Sequence, residues 1–221
     1  MSLILHIQTA LDTAMIGIAE NGRLLTARGN NTQKEHATFL QPAIREICAE
    51  QQVRLTDIDA VAIVSGPGSY TGLRVGMAGA KGICFALQKP LITINTLYWM
   101  AKSAESSDTD FVCPMIDARR MDVFTALYSR NGETLLDTAA ITLNNSSFSE
   151  YLDKGRVSFF GGGAAKFRSL TDHRNAIFPT LTPSQEDLAA ISWNLYQSGV
   201  FSDLRLSSPQ YGKAFFTTSK P

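Results

Sequence analysis

The segment best equipped for chemistry is Ser65-Gly66-Pro67-Gly68-Ser69-Tyr70-Thr71-Gly72-Leu73-Arg74-Val75-Gly76, which leaves an apolar run and opens a helix-like stretch. Glycines at such a junction let backbone N–H groups and a helix N-terminus approach an anion, so Gly66, Gly68, Ser69, Thr71 and Arg74 are candidate anion contacts. A tight strand-to-helix turn capped by Ser69 or Thr71 would use the same residues without a ligand. No G-x-x-x-x-G-K-[ST] occurs, so this is not a Walker loop, and Gly161–Gly163 fail the same test. Asp117-Ala118-Arg119-Arg120 is the second candidate, because clustered arginines in a turn suit a phosphate or a carboxylate partner. A solvated turn is the alternative there. His6, His36 and His173 have no second His at i+3 or i+4, so no metal site is expected. No G-x-S-x-G elbow or local Cys–His pairing supports a nucleophilic triad.

The elements that must position these residues are legible from turns and periodicity. Leu3–Ile7 and Ala14–Ala19 are apolar runs, and Asn21-Gly22 before Leu24–Ala27 is a hairpin signal because both turn positions favour positive φ. The plan recurs with Phe111–Ile116, a turn over Asp117–Met121, Val123–Tyr128 and Asn131-Gly132, which predicts an internally duplicated architecture. Gln33–Gln52 reads as an amphipathic helix with Ala37, Leu40, Ile44 and Ile47 on one face and Pro42 as a kink. Ala60–Ser65, Leu91–Ile94 and Val157–Phe160 read as strands; Thr71–Leu87, Leu97–Ala104 and Gln185–Gln197 read as helices. Ser184 followed by Glu186 and Asp187 caps the last of these.

The helix after the Gly-rich loop carries Gly72, Gly76, Gly79 and Gly82 at spacings that leave one face nearly bare. Each interior Gly costs about 1 kcal/mol against Ala, so close contact must compensate. The underlying sheet would satisfy that requirement, and so would a partner helix laid on the bare face. The second option makes Ala37, Leu40, Ile44, Ile47, Gly72, Gly76 and Gly79 a candidate partner interface.

Twenty Lys+Arg balance twenty Asp+Glu in 221 residues, and 44% of the chain is hydrophobic, which fits a globular protein and excludes disorder and supercharging. A neutral chain has no global footprint for direct nucleic-acid binding. Three scattered cysteines (Cys48, Cys84, Cys113) fit buried thiols in a reducing cytosol. With no signal-like leader and no apolar run near ~20 residues, a cytoplasmic, membrane-free protein is expected. Strands with hairpins followed by helix-strand-helix, twice over, predict two α/β lobes with mixed sheets flanked by helices, divided as 1–105 and 106–221 at the polar stretch Glu105–Asp110.

Gly66-Pro-Gly-Ser-Tyr-Thr-Gly-Leu-Arg74, Asp117-Ala-Arg-Arg120 and Pro209-Gln210-Tyr211 together resemble the TsaB family, also called YeaZ. The resemblance implies an actin-like ASKHA fold and a part in threonylcarbamoylation of adenosine 37 in tRNAs reading ANN codons. It implies a non-catalytic dimerisation subunit, with no cofactor or metal and no catalytic residue of its own. The partners it implies are a TsaD-like catalytic paralogue, a TsaE-like ATPase, a second copy when isolated, and tRNA only through the complex. The chain departs from the family pattern at Gln8-Thr9-Ala10, where Asp-Thr-Ser is common, and at Tyr211-Gly212-Lys213, where Tyr-Leu-Arg is usual. His36 followed by Leu40 also lacks the paralogue's H-x-x-x-H pair. An autonomous ASKHA-type phosphotransferase or an M22-type peptidase-like enzyme is the alternative.

Overall fold

The structure is a computed structural model that describes residues 1–32, 35–104 and 108–212. Gln33, Glu105 and Lys213, named above, lie outside them. The first half contains β1 (Leu3–Gln8), β2 (Ala14–Glu20), β3 (Arg23–Asn30), α1 (His36–Glu50), β4 (Ala60–Gly66), α2 (Tyr70–Leu87), β5 (Leu91–Asn95) and α3 (Thr96–Lys102). The second contains β6 (Phe111–Asp117), β7 (Asp122–Ser129), β8 (Thr134–Thr142), α4 (Ser149–Leu152), β9 (Val157–Phe160), α5 (Ala164–Arg168), β10 (Ala176–Ile177) and α6 (Gln185–Gln197).

Two five-stranded mixed sheets result, ordered β3-β2-β1-β4-β5 and β10-β9-β6-β7-β8. Taken from its hairpin edge, the second is β8-β7-β6-β9-β10, the same order as the first. Directions match too: β1/β2, β2/β3, β6/β7 and β7/β8 are antiparallel, whereas β1/β4, β4/β5, β6/β9 and β9/β10 are parallel. The duplication is therefore one of topology. What differs is helix length, since α1 and α2 have 15 and 18 residues where their counterparts α4 and α5 have 4 and 5.

Local chemistry explains the elements. Asn21 and Gly22 both take positive φ (48° and 82°), the geometry that joins right-twisted strands in a two-residue hairpin. β4 is buried along its whole length because it lies inside its sheet with a strand on either side, and its sequence is accordingly near-continuous in apolar residues. Ser184 caps α6 by accepting the Asp187 N–H at 3.0 Å. The short α4, α5 and β10 carry no long apolar periodicity, which is why sequence patterning passes over them.

The third helix of each copy crosses over. α3 packs on β6 and β7 of the second sheet as well as on β4 and β5, and α6 packs on β1, β3 and β5 of the first sheet. His6 in β1 and Ser192 in α6, both fully buried, are 2.7 Å apart. Ser192 Oγ donates to the Ala189 carbonyl, so the His6 Nε2–H donates to Ser192. Assigning 106–221 to a second lobe is thus corrected for its last part. The apolar face of α6, with Leu188 and Ile191, completes the core under the first sheet.

Candidate inter-lobe site and outer helix face

The first β-turn and the Gly-rich loop are built into each other. Gln8 Oε1 accepts from the backbone N–H of Ala10 (2.7 Å) and Leu11 (3.2 Å), and its Nε2 donates to the Thr13 carbonyl (2.9 Å). The side chain standing where the family pattern has Asp is consumed by its own turn. Ser69 N–H donates to the Ala10 carbonyl at 2.7 Å, and Thr9 Oγ1 donates to the Gly72 carbonyl at 2.7 Å. A Cβ on Gly68 would collide with the Ala10 carbonyl oxygen, one on Gly72 with that of Thr9, and one on Gly66 with that of Gln210. Carbonyl oxygens crowd the loop where an anion would need N–H groups. Close backbone packing therefore accounts for Gly66 and Gly68, and the anion expectation for them is corrected. Ser69 caps α2 by accepting from the Gly72 N–H, and Thr71 is exposed. Arg74 donates to Tyr70 Oη at 2.9 Å with its guanidinium 5.4 Å from the centre of the Tyr70 ring.

The space between the sheets is occupied by this chain. Leu11, from the first turn, packs against the buried clusters of both halves, and Tyr98 of α3 does the same. The chain after α6 then crosses the loop: Gln210 N–H donates to the Ser65 carbonyl at 2.8 Å, and Tyr211 sits 5.0 Å from Tyr70, ring centre to ring centre. Gly212 follows at φ 68°, where a Cβ would lie 2.7 Å from the Phe124 ring. Glycine at this departure from the family pattern is what lets the strap lie flat on β7. Leu11 and Tyr98 carry no sequence motif, and the motif Pro209-Gln210-Tyr211 does not say where the strap lies; only their contacts reveal it.

At the corresponding turn of the second copy, Asp117 Oδ1 accepts from the Arg119 backbone N–H (2.6 Å) and from Lys166 Nζ of α5 (2.8 Å). These contacts, Lys166 first, hold the Asp117 carboxyl below its ordinary pKa. Lys166 also donates to the Asp122 carbonyl, and Asp122 Oδ1 accepts from Thr142. Arg119 and Arg120 take φ of 68° and 50° and are exposed. Left-handed conformations cost an L-residue roughly 1–2 kcal/mol each, the penalty that Gly22 in the first copy's hairpin avoids.

The glycine face of α2 is turned mostly inward. Gly76 abuts Thr9 Oγ1 and Ile63, Gly72 abuts Thr9, and a Cβ on Gly79 would lie 2.6 Å from Leu40 Cδ2 of α1. Leu40, Ile44 and Ile47 are buried in the core shared with Met77, Ile83, Ile16 and Ile63. The expected partner interface is corrected at Leu40, Ile44, Ile47, Gly72, Gly76 and Gly79, which pack within this chain. What remains outward is Ala37 on α1 and a stripe on α2 formed by Ala78, Gly82 and Phe85. Phe85 is 80% exposed, and a Cβ on Gly82 would meet nothing within 4 Å.

Among the described residues no group of three or more His, Cys, Asp or Glu is placed to hold a metal ion. The three cysteines are free and buried; burial pushes the thiol of Cys84 up to about 11 and that of Cys113 up to about 12, which makes both poor nucleophiles. No helix of the described residues is long and apolar enough to cross a membrane.

Two duplicated mixed sheets, with α3 bridging them and α6 crossing to the first, and an interposed first turn define an actin-like, ASKHA-type fold. A Listeria monocytogenes protein assigned as an N-acetylmannosamine kinase shares the fold at TM-score 0.52, covering 89% of this chain and 99% of that one at 13% identity. YeaZ from Pseudomonas aeruginosa matches at TM-score 0.77 over 96% of this chain and all of that one, with 24% identity. The family described as TsaD, tRNA N6-adenosine threonylcarbamoyltransferase, matches residues 29–195. The tRNA threonylcarbamoyladenosine biosynthesis protein TsaB of Escherichia coli strain K12 is 27% identical over 94% of this chain and 93% of its own length. That of Buchnera aphidicola subsp. Baizongia pistaciae is 33% identical over 72% of this chain and 76% of its own. The chain belongs to the TsaB (YeaZ) family, within the wider TsaD-like group.

Proposed function

We propose that this protein is a subunit of the assembly that makes threonylcarbamoyladenosine in tRNA, and that it acts as a non-catalytic scaffold for a TsaD-type catalytic paralogue with a TsaE-type ATPase joining them. The observation that carries the non-catalytic part is the closed inter-lobe space. Leu11 bridges the two cores, Gln8 is spent on its own turn, carbonyl oxygens line the Gly-rich loop, and the strap through Tyr211 lies across it. A nucleotide phosphate would meet acceptors and apolar side chains there, and a nucleotide-bound metal would find no carboxylate at position 8.

In this reading the outward stripe of α2 is the docking face, used by a second copy when the chain is alone and by the catalytic paralogue when that is present, with the exposed Ala37 of α1 a further candidate contact. An exposed Phe85 on the same face as Ala78 and a bare glycine favours burial against another apolar surface. Calorimetry of the isolated chain with magnesium and ATP tests the proposal. No measurable heat of binding is expected. A micromolar, magnesium-dependent affinity that is lost in Asp117→Ala would overturn it in favour of an autonomous phosphotransferase.

A further inference from the structure

The turn between β6 and β7 contains a choice of residues that the fold does not require. Two successive residues at positive φ also occur at the β2–β3 hairpin, where Asn21 and Gly22 sit at 48° and 82°. That pair is the one local chemistry prefers. At the β6–β7 turn, two arginines hold φ 68° and 50° instead. Strain retained at such positions points to a role outside the fold.

The carboxylates within reach are otherwise engaged. Asp117 pairs with Lys166 at 2.8 Å and with the Arg119 backbone, and Asp122 Oδ1 accepts from Thr142. Among the described residues, no ion pair is made by either guanidinium. The Lys166 ammonium offsets the charge of Asp117, so even with Asp122 counted the turn at the end of the second sheet carries net positive charge.

We infer that Arg119 and Arg120 contact the phosphodiester backbone of the RNA that the assembly acts on, an inference that rests on the scaffold reading above. Exposure of both arginines in the turn between β6 and β7 decides the class of anion. A peptide carboxylate bound there would gain almost nothing over water. A polyanion repays such contacts by releasing condensed counterions, and planar guanidinium groups match phosphate oxygens in pairs. The neutral net charge of the chain agrees with an auxiliary contact that positions RNA already held by a partner.

The test uses the complex of this chain with its TsaD-type partner and compares wild type with the double variant Arg119→Asn, Arg120→Gly, which copies the Asn21-Gly22 pair. The variant chain should melt no lower than wild type and assemble normally by light scattering. Its complex should bind tRNA about tenfold more weakly near 0.1 M salt, with the slope of log affinity against log salt reduced by roughly 1.4–1.8, as for two lost phosphate contacts. Normal assembly with unchanged tRNA affinity and slope would overturn the inference alone, as would weakened ATP binding or weakened assembly with tRNA affinity intact. Failure of the wild-type chain to assemble at all would overturn the scaffold reading, and this inference with it.

Discussion

Gln8, His6 and Gly66 show how single residues fix this molecule. His6 is buried and uncharged, its pKa lowered from 6.5 to about 3 by burial. The unfolded chain therefore binds a proton that the folded chain refuses. The stability tied to this group is complete above pH 6.5 and is lost as pH falls from there towards about 3. At about pH 5 the loss amounts to about 2 kcal/mol. Urea unfolding followed from about pH 7.5 to about 5 should show that decline; a flat profile would mean that His6 takes up its proton as readily in the fold as in the unfolded chain. Gly66, at φ 125° with the Gln210 carbonyl against it, should not tolerate a side chain. Gly66→Ala is expected to cost about 2 kcal/mol or more in backbone strain, a fall of roughly 4–8 °C in Tm at this chain length.

At the scale of elements, the outer stripe of α2 is separable from its inner face. Leu at Gly76 would drive into Thr9 and Ile63, so that substitution tests folding and says nothing about docking. Phe85→Asp is the cleaner probe, because its side chain is largely in solvent and surface changes usually alter stability by no more than about 0.5 kcal/mol. The variant should melt like wild type while self-association, measured by light scattering, falls at least about tenfold. Unchanged association would place the interface elsewhere. The helix itself shows what sequence can and cannot tell. Its glycine spacing demands a close neighbour, which Gly72, Gly76 and Gly79 have and Gly82, facing open space, does not. Whether the neighbour is this chain or another is not readable from the spacing, because Thr9 and Leu40 reach the helix from distant segments. The hairpins, by contrast, were legible because Asn-Gly imposes its geometry locally.

Across the whole molecule, the repeated strand order is foreseeable from the recurrence of apolar runs and turns, whereas the crossing of α6 to the first sheet and the bridging of both sheets by α3 are not. Nothing in the apolar pattern of a helix says which of two sheets it covers. The same holds for the site. The Gly-rich loop, Asp117 through Arg120 and Pro209 through Tyr211 stand out in the sequence, but Leu11 and Tyr98 are residue types common anywhere in a protein, and nothing local says that they and the Gln210–Gly212 strap meet between the lobes. The plug they form there supports the proposal that this chain, although it shares a fold with a kinase-like protein, is a scaffold. The strap also ties the last described residues to the Gly-rich loop and to Phe124 of β7, and the loop in turn holds the first turn, so the lobes of the isolated chain should move little. Truncation before Ser208 should therefore loosen the inter-lobe contacts, seen as faster amide exchange at Ala10 and Leu11, without creating ATP affinity.

The scaffold account is tested most directly by reconstituting threonylcarbamoyl transfer to tRNA from the TsaD-type partner, the TsaE-type ATPase and this chain. Transfer should be absent without the chain, restored by wild type, and lost again with Phe85→Asp even though that variant is folded. Full transfer in the absence of this chain, or undiminished transfer with Phe85→Asp while its docking is abolished, would contradict the account.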